Sequence, residues 1–171
     1  MWSGVRRFCQ RHFWELPEPL LDALRARLKP GMRTLEAGSG RSTRLFEEMG
    51  CEHVALEHDP RHAAPCRSVL LAPIKGAPPW YDWVPSHPFD LVLVDGPPGW
   101  IGRKGILRVL PDCMTERTVV VIDDMERPAE RALAREISSR FRLSVSTSWH
   151  MELGVYPRAY AFLDPKPIGN P

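Results

Sequence analysis

Two stretches, FDLVLVDG (residues 89–96) and TVVVIDD (residues 118–124), are near-continuous apolar runs that stop abruptly at aspartate. Apolar side chains at successive positions leave neither face of a strand for water. Each run therefore predicts a strand covered on both sides, as parallel strands are in α/β proteins. Such strands need helical crossovers, and the chain supplies them. EPLLDALRARLK (18–29) places Leu20, Leu24 and Leu28 on one helical stripe that Pro30-Gly31 ends. Residues 33–37 read as a short strand, STRLFEEM as a helix opening at Ser42 with Gly50 as its stop, and HVALEH (53–58) as a second strand. A helix from about Pro60 and a strand at SVLLA come next. RKGILRVLPDCM reads as a helix between the two apolar strands, and PAERALAREISSRF as another, with Leu133, Ile137 and Phe141 at i+4 spacing and Pro128 in its first turn. LSVSTSW and AYAFLD close the chain with little between them, so they are expected to pair antiparallel. This alternation implies a doubly wound, mostly parallel sheet with helices on both faces.

A chain of 171 residues suits one domain: an N-terminal helical segment (1–30), a core sheet (31–163) and a tail (164–171). Residues 71–88, LAPIKGAPPWYDWVPSHP, are its nearest approach to a linker, but the aromatics predict a packed loop. A net charge of +2 gives no electrostatic case for nucleic acid or an anionic membrane. Cys9, Cys51, Cys66 and Cys113 form no CxxC pair, which argues for a reduced compartment. No stretch reaches 18 apolar residues and the N-terminus lacks a signal-peptide core, so a soluble, cytoplasmic protein is expected.

TLEAGSGRST (34–43) comes after the first strand, at the place where open α/β sheets bind ligands. Gly38 and Gly40 permit close backbone approach and positive φ, and the helix start beyond them offers N–H groups. Glu36 shares strand parity with Gly38 and is expected to lean into the same crevice. A carboxylate there would repel a pyrophosphate, whereas the cationic end of S-adenosylmethionine would match it. Thr43 stands where a dinucleotide site prefers glycine, and points the same way. Glu57, 17 positions after Gly40, ends the second strand close to the ~20-residue spacing of a ribose-binding acid.

With TLEAGSGRST, VALEHDP, FDLVLVDGPPG and VVVIDDMER in strand order, the chain resembles the class I S-adenosylmethionine-dependent methyltransferases from about residue 31 to 163. The combination of DGPPG, Arg103, and DD followed by Arg127 resembles one bacterial branch of small members. The resemblance implies a seven-stranded Rossmann-like sheet of order 3-2-1-4-5-7-6. It implies Glu36, Gly38 and Gly40 around the methionine part, Glu57 on the ribose and His58 beside the adenine. The loop after the third strand, LAPIKG, lacks the acid that often holds the adenine amino group. The expected activity is methyl transfer to an oxygen or nitrogen of a small-molecule acceptor. A nicotinamide-dependent oxidoreductase and a non-catalytic nucleoside-binding scaffold are the other readings. Little sequence outside the sheet can build an acceptor lid, so the acceptor site is either open or completed by a second subunit, making a homo-oligomer one option.

Asp95, Asp123 and Asp124 end adjacent candidate strands, about 5 Å apart if those strands pair. Three readings stand. Asp95 takes a proton from the acceptor with Asp123 or Asp124 tuning it. Or the three hold Mg²⁺ or a similar hard ion, which resembles the metal-dependent catechol-type O-methyltransferases. Or Asp95 starts a turn and Asp124 caps the segment after it. In DGPPGWIGRKG, Trp100 is read as an apolar wall and Arg103 as an anchor for an anionic acceptor, or else as a stiff connection with a solvated arginine. His53, His58 and His62 do not converge on a zinc site, because Pro60 interrupts them. Trp2, Phe8, Phe13 and Trp14 are aromatics that either close over the cofactor or pack a helix on the sheet. No role is assigned to Tyr156-Pro157-Arg158.

Overall fold

The computed structural model describes residues 15–152 and 156–167. Trp2, Phe8, Phe13 and Trp14 lie outside the described residues. The first helix, α1 (Glu18–Arg27), carries Pro19 in its first turn, where a missing N–H costs nothing, and buries Leu20, Leu21 and Leu24. Strand β1 (Arg33–Ala37) leads into α2 (Arg41–Glu48), which ends as expected where Gly50 takes a φ of +72°. Strand β2 (Glu52–Glu57) is next, then β3 (Val69–Leu71) and a small antiparallel hairpin of β4 (Ile74–Lys75) and β5 (Trp80–Tyr81). Beyond it come β6 (Leu91–Val94), a 3₁₀ turn at Lys104–Arg108, the short α3 (Leu110–Cys113), β7 (Val119–Ile122), α4 (Pro128–Phe141), β8 (Leu143–Glu152) and β9 (Tyr156–Pro165).

Seven strands form one sheet in the order β3-β2-β1-β6-β7-β9-β8. Setting the hairpin aside, this is the expected order 3-2-1-4-5-7-6. The first five pair in parallel and β9 runs antiparallel between β7 and β8. The two apolar runs are buried on both faces. Leu91, Leu93 and Val121 pack with Leu20, Leu24 and Phe46 on one side; Val92, Val94, Val120 and Ile122 pack with Ile106, Leu133 and Ile137 on the other.

Two expected helices differ. Residues 59–65 are turns rather than a helix, because the Asp59 carboxylate accepts from the Arg61 backbone N–H at 2.9 Å and Pro65 lies just beyond. RKGILRVLPDCM is a 3₁₀ turn joined to a single short helix, with Pro111 at the start of the latter. The aromatic loop is packed, as expected, with Trp80 and Tyr81 buried.

Strand order reverses between β2 and β6 on either side of β1, so their carboxyl ends splay into a crevice. The turns after β1 and β6 touch there. Gly38 has a φ of +99°, and its backbone lies against that of Gly96. A Cβ on Gly96 would fall 2.5 Å from the Tyr81 hydroxyl and 2.9 Å from the Gly38 nitrogen. We predict that Gly96→Ala lowers unfolding stability by about 1–3 kcal/mol through overpacking. Urea denaturation checks this, and an unchanged midpoint would show that the two turns are free to separate.

Candidate active site

A cavity of about 1600 Å³ opens at these strand ends. Gly38, Ser39 and Gly40 line it from the β1 turn, Glu57 and His58 from the end of β2, and Tyr81 from the hairpin. Asp95 and Asp124 line it from the ends of β6 and β7, with Trp100 and Arg127 towards the rim. Gly40 is extended, with a φ of 178°, and a Cβ there would meet no atom of the described residues within 4 Å. Its open face belongs to the cavity.

Glu36 does not line this space, which corrects the expectation drawn from strand parity. Its side chain points to the face of β1 on which α2 packs, and it is buried. Ser42 Oγ donates to one carboxylate oxygen; Thr43 Oγ1 donates to the other at 2.7 Å, and His53 Nε2 lies 3.3 Å from it. Thr43 is likewise buried away from the cavity: its hydroxyl accepts from the Gly40 backbone N–H at 2.9 Å. His53 Nδ1 in turn sits 2.8 Å from Thr34 Oγ1, and its ring stacks on Phe46. Thr34, His53, Glu36, Ser42 and Thr43 thus form a buried polar chain behind the glycine turn. Each polar group is matched, and together they fix where Gly40 sits.

Glu57 is placed as expected, at the cavity end of β2. Its Oε1 accepts from the backbone N–H groups of His58 (2.7 Å) and Asp59 (2.8 Å), while Oε2 meets only Ser39 Oγ at 3.4 Å. One oxygen is held by the turn, and the other remains available to a ligand. His58 lies alongside, 6.2 Å from the Tyr81 ring. The sequence reading missed Ser39 and Tyr81. Burial, then the nearby carboxylates of Glu57 and Asp95, push the Tyr81 phenol well above its usual range.

The ends of β6 and β7 are adjacent, and oxygens of Asp95, Asp123 and Asp124 lie within 4.8 Å of one another. Arg103 is no anchor for an acceptor: it is buried, and its Nη2 donates to Asp124 Oδ2 at 2.6 Å and to the Asp95 carbonyl at 2.5 Å. The sequence reading also missed Arg158. From β9, antiparallel beside β7, its Nη2 donates to Asp123 Oδ2 at 3.0 Å and its Nη1 to Glu152 Oε2 at 3.2 Å. Arg127 Nη1 reaches Asp124 Oδ2 at 2.8 Å. Asp124 is therefore an ion-pair partner, not a helix cap; α4 has Arg127 at its N-cap and no side-chain cap.

These guanidinia answer the question of a metal. Both bonded oxygens of Asp124 and Asp123 face arginine, and three fixed cations surround the carboxylates. A hard divalent ion would have to displace these guanidinia from Asp123 and Asp124 and sit beside three positive charges, so the residues present fit one poorly. Six carboxylates (Asp95, Asp123, Asp124, Glu126, Glu130, Glu152) nevertheless share three arginines. The surplus negative charge favours protons. Burial and the charge of Asp124 push Asp123 up to about 6, and burial with Asp123 holds Asp95 well above the usual carboxylate range. Asp123 Oδ1, buried without a hydrogen-bond partner among the described residues, is where that proton would reside.

No known family profile matches the chain, and no curated protein matches it in sequence. Solved structures do match in fold. An O-methyltransferase from Bacillus cereus in complex with SAH superposes with a TM-score of 0.64 at 14% identity, over 88% of this chain and 82% of that one. TomG, an O-methyltransferase from Streptomyces achromogenes involved in tomaymycin synthesis and bound to SAM, gives 0.62 at 20% identity, over 91% and 86%. An rRNA methylase from Streptococcus thermophilus gives 0.58 at 10% identity, over 89% and 98%. The chain therefore has the Rossmann-like methyltransferase fold. Among the described residues no helix is long and apolar enough to cross a membrane.

The raised Asp123 makes a signed prediction. An unfolded aspartate releases its proton near pH ~3.9, whereas the native one retains it to about 6. Between those values the native state binds more protons, so this group's stabilisation is full below the window and falls as pH rises through it. The slope is at most about 1.4 kcal/mol per pH unit. Urea titrations from pH 4 to 7 should show this fall in the wild type and a shallower one in Asp123→Asn, where the raised Asp95 still contributes. Equal pH dependence in the two proteins would contradict the assignment.

Proposed function

We propose that this protein is an S-adenosylmethionine-dependent methyltransferase acting on an oxygen or nitrogen of a small-molecule acceptor. The observation that carries the reading is the arrangement around Gly40. An unobstructed glycine turn lies between two acids, Glu57 with one uncommitted oxygen and Asp95 at the far side. These two acids would repel a pyrophosphate laid on the turn and attract a sulfonium, although arginines line other parts of the cavity. The SAM and SAH complexes among proteins of the same fold support this choice. The cavity exceeds the ~300–1000 Å³ of a typical single-ligand site, which leaves room for an acceptor beside the nucleoside.

When bound, the cofactor supplies an activated methyl group and its own leaving group. The chain's part is alignment and proton handling. Glu57 and His58 hold the ribose and adenine side, and the braced turn at Gly38 and Gly40 receives the methionine part. Trp100, 75% exposed, walls the acceptor side. Asp95 stands at the opening of the arginine-buffered cluster and accepts the acceptor's proton, with Asp123 behind it setting its basicity. The DGPPG and DD segments, which carry the resemblance to a small bacterial branch, form this acidic end.

Methyl transfer to a panel of phenols, carboxylic acids and amines tests the proposal. For the acceptor that turns over, Asp95→Asn should lower kcat by about 10²–10⁴. EDTA should have no effect. Loss with EDTA and rescue by Mg²⁺ would overturn the metal-free base. A second variant addresses the cofactor: Gly40→Asn places a good N-cap residue in open space, so stability should hold within about 0.5 kcal/mol. SAM binding by equilibrium dialysis should weaken at least about tenfold, a loss of roughly 1.4 kcal/mol. Unchanged affinity would remove Gly40 from the site.

A further inference from the structure

The two edges of the sheet are unlike. The β3 edge is three residues long, too short to template another strand. The β8 edge is ten residues long and has β9 as its one neighbour among the described residues. Natural edge strands are blunted by lysine, proline, bulges or inward charges. LSVSTSWHME has no lysine, arginine, aspartate, proline or glycine, and Glu152 at its end is its first acid. It also displays apolar side chains: Val145 is 42% exposed, and Trp149 and Met151 are each 58% exposed. All three project on one face, because side chains alternate along a strand.

We propose that β8 is the contact of a symmetric homodimer, in which a second copy adds its own β8 antiparallel to the first. Antiparallel pairing about a twofold axis at Thr147 brings position 147+k opposite 147−k of the partner copy. Trp149 then faces the Val145 position, Met151 faces the Leu143 position, and Ser148 faces the Ser146 position. Apolar meets apolar, and hydroxyl meets hydroxyl. The same register brings Glu152 to the partner copy's end where the exposed Arg142, the left-handed cap of α4, immediately precedes the strand, twice by symmetry, so the charges there are complementary. Pairing about Ser148 keeps Met151 opposite an apolar position, Val145, but sets Trp149 opposite a threonine and Glu152 opposite a serine. The register with both the apolar and the charge matches is the one the strand encodes. An unrelated partner strand gains nothing from this internal symmetry, which is why a second copy is the occupant. Glu152 also holds Arg158 of the acidic cluster at 3.2 Å, so the dimer contact lies one side chain from the candidate active site.

Sedimentation velocity on the full chain tests this. The wild type should sediment at twice its 19.5 kDa mass and dissociate on dilution. Trp149→Lys and Arg142→Glu, both at exposed positions, should each be monomeric with unchanged far-UV circular dichroism. Hydrogen exchange on the wild type needs no variant: β8 amides should gain protection as concentration rises, while those of the β3 edge should not. A wild type that is monomeric at its highest soluble concentration would overturn the proposal. So would a dimer that survives either substitution, or β8 amides whose protection ignores concentration. The result is independent of whether the cavity binds a nucleoside.

Discussion

The carboxyl ends of β6 and β7 bring three aspartates together under the sheet's own rim, and this is tolerable only because guanidinia reach them. Arg103 arrives from the loop after β6, Arg127 from the start of α4, and Arg158 from β9 on the far side of β7. Removing water from a carboxylate costs several kcal/mol, and a fixed cation within 3 Å offsets that cost. The cluster therefore joins three separately folded pieces of chain. It also leaves more acid than base, and with burial this pushes Asp123 up to about 6 and Asp95 well above the usual carboxylate range.

Behind the glycine turn a second polar cluster has a different purpose. Glu36 at the end of β1 satisfies two hydroxyls at the start of α2, and His53 of β2 closes the far side. A helix start has donors that need partners; here Thr43 meets the Gly40 amide and Glu36 meets Thr43. Glu36 braces the turn from behind, and the acids that do face the cavity include Glu57 and Asp95.

The fold was legible because burial on both faces leaves a plain mark in the chain: β6 and β7 read as unbroken apolar runs, and each ends at an aspartate that the structure puts on the rim. The place of Gly38, Gly40 and Glu57 at the cavity was legible for a related reason, since their spacing is set by the length of a strand–turn–helix–strand unit. Parity misled at Glu36, because a strand's alternation tells which face a side chain takes but not which element covers that face. The helix expected at Pro60 failed to local competition from Asp59. Arg158 was invisible because its role comes from β9 lying antiparallel against β7, a contact some thirty-five residues away in sequence. Tyr81 was hidden similarly: its loop was read as packed, yet only the fold brings that loop against Gly96.

Calorimetric titration of the purified chain with S-adenosylmethionine, S-adenosylhomocysteine and NAD addresses the central assignment most directly. The geometry around Gly40 and Glu57 predicts that both sulfur nucleosides bind at one site per chain and that NAD releases no heat. Binding of NAD with neither sulfur nucleoside would contradict it, and would make the acids of the cavity partners of something other than a sulfonium.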